Sequence, residues 1–304
     1  MKVYINNPGE NWIVDRIRAE WYREKPDIST ENIQEADIIW IAAPWMWQHL
    51  DLNLLNNKKV LCTIHHIVPN KFNQQKANEF LYRDQFVDAY HVPNRHTADF
   101  ISGFTVKPIH IIGYWFDSKL WKPIDKKHAR RIIGIEESKF VIGSFQRDTE
   151  GSDLKSPKLE KGPDLFCDYV EKIANEDTLV LLGGWRRQYI INRLNQANIQ
   201  YMYIEMAPIE QLREMYACCD LYIVSSRVEG GPQALLEAPA MKVPIVSTRM
   251  GSAEFLLNEN CIIDIPNEIY LPTEQDVEEN FNIVKNYDII KHVNNYEKIL
   301  RSLG

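Results

Sequence analysis

The chain has 304 residues, 45% of them hydrophobic and 25% charged, with a net charge of −7. This is the profile of an ordinary globular protein, and at roughly 100–200 residues per domain it predicts two domains, each able to bury its own core. No run approaches the ~20 apolar residues that span a bilayer, no signal-peptide segment opens the chain, and no basic stripe or basic amphipathic face stands out, so neither nucleic acid nor tight membrane binding is expected. The cysteines (Cys62, Cys167, Cys218, Cys219 and Cys261) have the irregular spacing of neither a disulfide framework nor a zinc site. Four of them sit in apolar patterns and predict small core residues in a reducing cytoplasm.

The chain opens on the apolar run KVYI, a first strand, so folding is expected to begin at once. DIIWIAA, KVLCTIHHI, AYHVP and IHIIGYW follow as strands in the first half, and KFVIGSF, TLVLLGG, IQYMYIE, LYIVSS and PIVSTR in the second. Many are apolar without alternation, as strands buried on both faces should be. Between them lie stretches with a period near 3.6, such as GPDLFCDYVEKIAN, RQYIINRLNQAN and PIEQLREMYACC, and the tail EQDVEENFNIVKNY…IIKHVNNYEKILRSL is helical. Alternating strand and helix predicts an α/β protein with doubly wound parallel sheets and right-handed crossovers.

DSKLWKPIDKKHARRIIGIEESK, charge-rich with two prolines and no strand, marks a boundary. The expected division is a short Rossmann-like domain over 1–117, a linker over 118–137 and a second Rossmann-like domain over 138–304. The two domains are expected to face a cleft, the C-terminal helices being able to pack back on the first. The polar segment DTEGSDLKSPKLEK, residues 148–161, follows KFVIGSF directly and is expected as an extended loop at the C-terminal edge of a parallel sheet, where such folds bind ligands. A loop of that length calls for a functional role or disorder.

The richest chemistry lies in SSRVEGGPQALLEAPAMKVPIVSTRMGSAE, residues 225–254. A strand ends, a tight Glu-Gly-Gly turn follows, and Pro232 is expected to open a helix, since proline suits a first turn. Gly230 and Gly231 let the backbone approach a ligand. The first-turn amides near Gly231 and Gln233, with the positive end of the helix dipole, offer a site for phosphate oxygens. Glu229 and Glu237 flank that turn, where an anion repels both. A carboxylate that accepts two O–H bonds from a vicinal diol gives them a reason to be there.

This pair, eight residues apart with Gly-Gly-Pro and Leu-Leu between, resembles the paired-glutamate motif of the retaining family 4 glycosyltransferases of GT-B fold (glycosyl transferases group 1). KFVIGSFQR with Arg147, then Lys161-Gly162, resembles the family's phosphate-gripping Arg and Lys, with Lys155 and Lys158 of the intervening insertion as alternatives. TLVLLGGWRR, with Gly183 and Gly184, resembles its second glycine-bearing strand, and IEMAPIEQLREMYACC, with Met206 and Ala207, the segment that lines the base pocket. CTIHH resembles the strand ending in a cleft histidine, His65, and IHIIGYWFDSKLWKP the hinge run. The resemblance is concentrated in residues 140–256 and implies an N-terminal acceptor domain and a C-terminal donor domain. Lys242 stands where the family usually has a glycine ending the helix, so the resemblance implies a positive φ there.

It further implies that Glu237 holds ribose hydroxyls and Glu229 donor-sugar hydroxyls. Arg147 and Lys161 would neutralise the diphosphate, and His65 would approach the sugar. The enzyme implied is a metal-independent hexosyltransferase of carbohydrate biosynthesis with a nucleotide-diphosphate sugar as donor substrate, a hydroxyl acceptor (sugar, glycan or carrier), no cofactor and no metal ligands. In the Trp-rich first domain (Trp12, Trp21, Trp40, Trp45 and Trp47) most rings are expected in the core, while Trp45 and Trp47, just past a strand, and His66 are candidates for acceptor contact. A GT-B epimerase or phosphorylase, or a catalytically silent sugar-nucleotide binder, would share these features. A dinucleotide-dependent oxidoreductase would need a Gly-x-Gly-x-x-Gly after a first strand, which the sequence lacks.

Overall fold

The computed structural model describes residues 1–10, 13–151 and 153–304. Trp12, among the tryptophans read as core, and Ser152 of the polar segment lie outside the described residues. Two compact units result: Met1–Trp115 together with Tyr287–Gly304, and Phe116–Asn286.

Each apolar run read as a strand carries one. The first unit holds β1 (Val3–Ile5), β2 (Ile38–Ile41), β3 (Lys59–Thr63), β4 (Ala89–Val92) and β5 (Ile109–Ile111), with helices α1 (Ile13–Glu24), α2 (Leu52–Asn57), α3 (Gln74–Asp84) and α4 (Arg95–Ser102). The second holds α5 (Lys126–Ile133), β6 (Phe140–Ser144), α6 (Pro163–Ile173), β7 (Thr178–Gly183), α7 (Gln188–Gln196), β8 (Gln200–Ile204), α8 (Ile209–Cys218), β9 (Leu221–Val224), α9 (Ala234–Ala240), β10 (Ile245–Ser247), α10 (Ala253–Leu256) and α11 (Glu274–Val284). The last helix, α12 (Ile289–Leu303), belongs to the first unit.

The first sheet runs β1-β2-β3-β4-β5, with every pair parallel. Its unbroken apolar strands are explained by cover on both faces. Ile39, Ile41, Val60 and Tyr90 pack with Leu55 of α2, Phe80 of α3 and Ile101 of α4. On the other face Trp40 meets Trp21 of α1 edge-on at 5.4 Å and stacks on Tyr296 of α12 at 5.5 Å. Such aromatic pairs add about 0.5–1.5 kcal/mol each beyond the area they bury, so α12 is tied to this unit by packing.

The second sheet runs β10-β9-β6-β7-β8, also parallel throughout. Ile142, Val180, Leu182, Leu221, Ile223 and Val246 form its core with Phe166 and Val170 of α6 and Ile190 and Leu194 of α7. Residues 118–137, expected as a linker, fall in this unit and contain α5. Asp125 caps it by accepting from the His128 amide at 2.8 Å, and Gly134, at φ 85°, ends it. Arg130 of α5 is buried and donates to the Asp220 carboxylate and, at 3.0 Å, to the Cys218 carbonyl. The charge density that suggested a linker is the exposed face of a docked helix.

Candidate functional site

Leaving β6, the chain fills the second sheet outward through β7 and β8, then returns to the other side of β6 for β9 and β10. The order therefore reverses between β6 and β9. At such a point the loops leave the strand ends in opposite directions and open a crevice at the C-terminal edge of the sheet, which is where ligands bind. The segment after β6 carries Arg147, Lys158 and Lys161; the loop after β9 carries Glu229, Gly230 and Gly231.

These two loops meet. The Lys161 ammonium donates to the Glu229 carboxylate, which is 8% exposed. Beneath them Gln146 donates to the Lys161 carbonyl at 3.0 Å, and Ser226 donates to Gln146 at 3.3 Å. Gly162, at φ 59°, lies so close to the Ser225 carbonyl that a Cβ could not be accommodated. Gly251, at φ 53°, does the same for the Glu-Gly-Gly turn: a Cβ there would stand 2.5 Å from the Glu229 carbonyl oxygen and 2.6 Å from that of Gly230. Sequence reasoning passed over Gly251, although its place after β10 in a Met-Gly-Ser turn was a visible signal.

The polar segment 148–161 is an ordered hairpin at its described residues. Thr149 bridges Pro157, the Glu150 amide donates to the Ser156 carbonyl at 3.0 Å, and the Lys158 amide donates to the Asp148 carbonyl at 2.8 Å. Its base is fixed by a buried ion pair, Arg187 to Asp148 at 3.0 Å, and Arg187 also holds the Gly183 carbonyl at 2.5 Å. The pair places Lys158 and Lys161 in the site, while Lys155 is exposed near the hairpin tip, its amide on Asp153.

The cations crowd one another. Burial first, then the Lys161 charge and, more weakly, Arg147, hold the Lys158 ammonium below its ordinary pKa against the pull of Glu160. Burial and then Arg186 disfavour the Arg147 charge. Arg147 and Arg186 both lie over the ring of half-exposed Trp185, at 5.2 and 5.0 Å, a residue the sequence reading did not single out. An anion arriving among these groups relieves both their mutual repulsion and their desolvation.

Glu237 sits on α9 and is 3% exposed, accepting from the Tyr216 hydroxyl at 3.0 Å. The helix begins two residues later than expected: Pro232 lies in the preceding turn, its carbonyl accepting from the Leu235 amide at 3.0 Å, and Gln233 is the cap. Proline fixes the turn rather than the first helical residue. At the other end Lys242 has the expected positive φ, 57°. Gly184 (φ 87°) follows β7, and Met206 (φ 48°, half-exposed) and Ala207 follow β8, so both segments stand at the same edge of the sheet.

In the first unit the His65 ring is held by Nε2 on the Ala42 carbonyl at 2.7 Å and Nδ1 on the Tyr114 hydroxyl at 2.5 Å. A neutral ring protonated on Nε2 satisfies both. His66 is half-buried. Trp45 is 47% exposed, its indole donating to Glu10 at 3.0 Å. Trp47 corrects the reading as an acceptor platform: it is 1% exposed and packs against Tyr82 and Phe86 at 5.7 and 6.1 Å. Residues 44–49 form a 3-10 helix, in which positions two apart point about 240° from one another, so only one of the two rings can face outward. A groove of about 780 Å³ lies at the opposite, N-terminal edge of this sheet, among residues such as Asp37, Lys58, Asp88 and Lys107. Its lining includes none of the residues singled out by sequence as site candidates. Among the described residues no group of three or more His, Cys, Asp or Glu could hold a metal ion, and no helix is long and apolar enough to cross a membrane.

Residues 154–280 match the family described as Glycosyl transferases group 1. The lipopolysaccharide core biosynthesis mannosyltransferase LpsB of Rhizobium meliloti is 24% identical over 155 residues, a match spanning 48% of this chain and 42% of that protein. Among solved structures, HepE of Anabaena in complex with UDP and glucose superposes with a TM-score of 0.78 at 14% identity, covering 99% of both chains. Sucrose-phosphate synthase of Thermosynechococcus elongatus gives 0.70 at 15% identity, covering 95% of this chain and 77% of that one. Residues 154–280 thus resemble the group 1 glycosyl transferases, and the chain as a whole has the GT-B fold.

Proposed function

We propose that the protein transfers a sugar from a nucleoside-diphosphate sugar to a hydroxyl acceptor with retention of configuration. The observation that carries this reading is the meeting of Arg147, Lys158 and Lys161 with Glu229 and the Glu-Gly-Gly turn at the one reversal of strand order in the second sheet. Structures of HepE with UDP and with UDP-glucose support it. In this reading the cations and first-turn amides take the diphosphate, Glu229 the donor-sugar hydroxyls and Glu237 the ribose diol, with Gly183, Gly184, Met206 and Ala207 beside them.

The chemistry asked of these residues is stabilisation of charge on the departing diphosphate and alignment of the acceptor, whose proton passes to a leaving-group oxygen. The transition state has oxocarbenium character. Arg147 and the lysines do here what a divalent ion does elsewhere, so activity is expected to survive chelation. His65, His66 and exposed Trp45 are the proposed acceptor-side groups. A cytoplasmic setting suits the cysteines, all buried thiols.

Thermal-shift screening against UDP, GDP, ADP and their common sugars tests donor binding, since a ligand at 100 times its Kd stabilises by about 2.7 kcal/mol. UDP is the first to try. The anomeric configuration of the product, read by NMR, tests retention. Absence of a shift with every nucleotide overturns the reading, and conversion of donor without any acceptor points to an epimerase.

A further inference from the structure

A buried carboxylate is useful as a ligand only if its orientation is fixed, and α9 is too short and too irregularly started to fix Glu237 alone. The side chain of Glu237 is instead met by a hydroxyl from a neighbouring helix. Tyr216, on α8, donates to Glu237 Oε2 at 3.0 Å. The Tyr216 ring in turn lies 5.0 Å from that of Tyr222, on β9. Tyr222 accepts from the Phe145 amide, one residue past β6, at 3.0 Å. A carboxylate oxygen accepts, so the Tyr216 hydroxyl is the donor in its bond to Glu237.

The rings that carry these hydroxyls are packed for the purpose. Tyr216 stands edge-on to Trp121 at 5.7 Å and to Phe145 at 4.8 Å, and lies 5.0 Å from Tyr222. Gly143 makes the room, since a Cβ there would come within 2.9 Å of the Tyr222 ring. Burial, reinforced by Tyr222 and Glu237, raises the Tyr216 pKa well above the ordinary phenol value, so its proton stays in place to be donated.

We infer that Tyr216 is a positioning residue for nucleotide recognition: its hydroxyl occupies one oxygen of Glu237 and aims the carboxylate at the ribose diol. The inference rests on the proposed function, in which Glu237 meets the ribose. It extends that reading to a residue that touches no ligand and whose phenyl ring, without the hydroxyl, would pack equally well.

The test measures Kd by calorimetry for whichever of UDP, GDP and ADP the thermal screen selects, and for the 2′,3′-dideoxy form of the same nucleotide. Wild-type protein is expected to prefer the ribonucleotide. In Tyr216→Phe that preference should shrink by about fivefold, the worth of one hydrogen bond, with the dideoxy Kd unchanged within twofold. A merely structural hydroxyl lowers Tm or weakens both nucleotides alike, and either result with the preference intact overturns the inference.

In the background of Glu237→Gln, Tyr216→Phe should have little further effect on the preference, because both changes act through the same oxygen; full additivity overturns the inference. If Tyr216→Phe does not fold, Tyr216→Met, which also lacks the hydroxyl, is measured in its place; a preference equal to that of wild type overturns the inference. Wild-type protein that binds both nucleotides equally sinks the placement of ribose on Glu237, and the inference with it. A discriminating wild type with a discriminating Tyr216→Phe sinks the inference alone.

Discussion

The C-terminal edges of the two parallel sheets solve the same problem in opposite ways. In the first sheet, which runs in simple chain order, the polar groups at the strand ends satisfy one another. The Trp40 indole donates to Thr63 at 2.8 Å, Thr63 donates to His91 Nδ1 at 3.0 Å, and His91 Nε2 donates to the Ile112 carbonyl at 2.8 Å. All four partners are accounted for by a neutral imidazole. In the second sheet, whose order reverses beside β6, the strand ends carry Arg147, Lys158 and Lys161, and burial, with the charges of Lys161 and Arg147, disfavours the Lys158 ammonium. A closed neutral network gives rigidity; a cluster of strained cations gives affinity for an anion. The difference makes the buried Trp40–Thr63–His91 network scaffolding and the cation cluster the place suited to an anion.

The largest expected effect sharpens the scaffolding half. Trp47→Ala removes a fully buried ring from the first core and should cost about 3–5 kcal/mol, as large aromatic truncations do. Trp45→Ala, at an exposed position, should change stability by well under that, within about 1 kcal/mol. Calorimetric melts of both variants decide it. Equal destabilisation would mean that the 3-10 turn does not separate the two rings.

Next in size is the binding half. Glu237→Ala should weaken nucleoside diphosphate binding by about 1.5–3 kcal/mol, the worth of hydrogen bonds to a charged group, while leaving the melting of the first unit unchanged. Titration calorimetry on the variant reads the first quantity and the melt the second. Unaltered affinity would remove Glu237 from the nucleotide site.

The closed network makes a pH prediction. Burial holds the His91 pKa at about 3, against 6.5 in the unfolded chain. As pH falls below 6.5 the unfolded state takes up a proton that the folded state refuses, so the stabilisation present above 6.5 is lost progressively as pH falls towards 3. By pH 5 the loss should be about 2 kcal/mol. Melts between pH 7.5 and 5 should show it, and His91→Gln, which cannot titrate, should flatten the dependence. A wild-type melt that is level over this range would contradict a neutral buried His91.

How much of this was legible in sequence follows from the range of the interactions. The strands were visible because each is a local apolar run, and Glu229, Glu237, Arg147 and Lys161 because their context is local too. Helix α5 was obscured by its own charge, although Asp125 before it and Gly134 after it are cap signals that outweigh the composition. The Thr63–His91 and Tyr114–His65 contacts join residues 28 and 49 positions apart, and the Tyr216–Glu237 bond crosses from one helix to another. Nothing local marks such partners, and only the register of the sheets brings them together. Trp47 was misread for a different reason: two aromatic residues in one short run look alike until the period of their turn is known.

The smallest expected effect probes the cation cluster itself, through Glu229→Gln. In the structure Lys161 already donates to Glu229, so a diphosphate reaching Lys161 must compete with a carboxylate for it. Neutralising that carboxylate leaves the lysine charge to the phosphates alone. Partly buried ion pairs of this kind are worth on the order of 1 kcal/mol or less, so the nucleoside diphosphate should bind about twofold to fivefold more tightly. The sugar nucleotide should not gain: amide for carboxylate weakens acceptance of two sugar hydroxyls, which offsets the advantage at the phosphates. The variant should therefore invert the ordinary order, holding the nucleoside diphosphate better and the sugar nucleotide no better or worse than wild type. Raising salt should narrow the gap, since the gain is electrostatic. Calorimetry with both ligands at low and physiological salt separates the terms. Loss of nucleoside diphosphate affinity in Glu229→Gln, comparable to that in Glu237→Ala, would show that Glu229 supports the phosphates rather than competing with them.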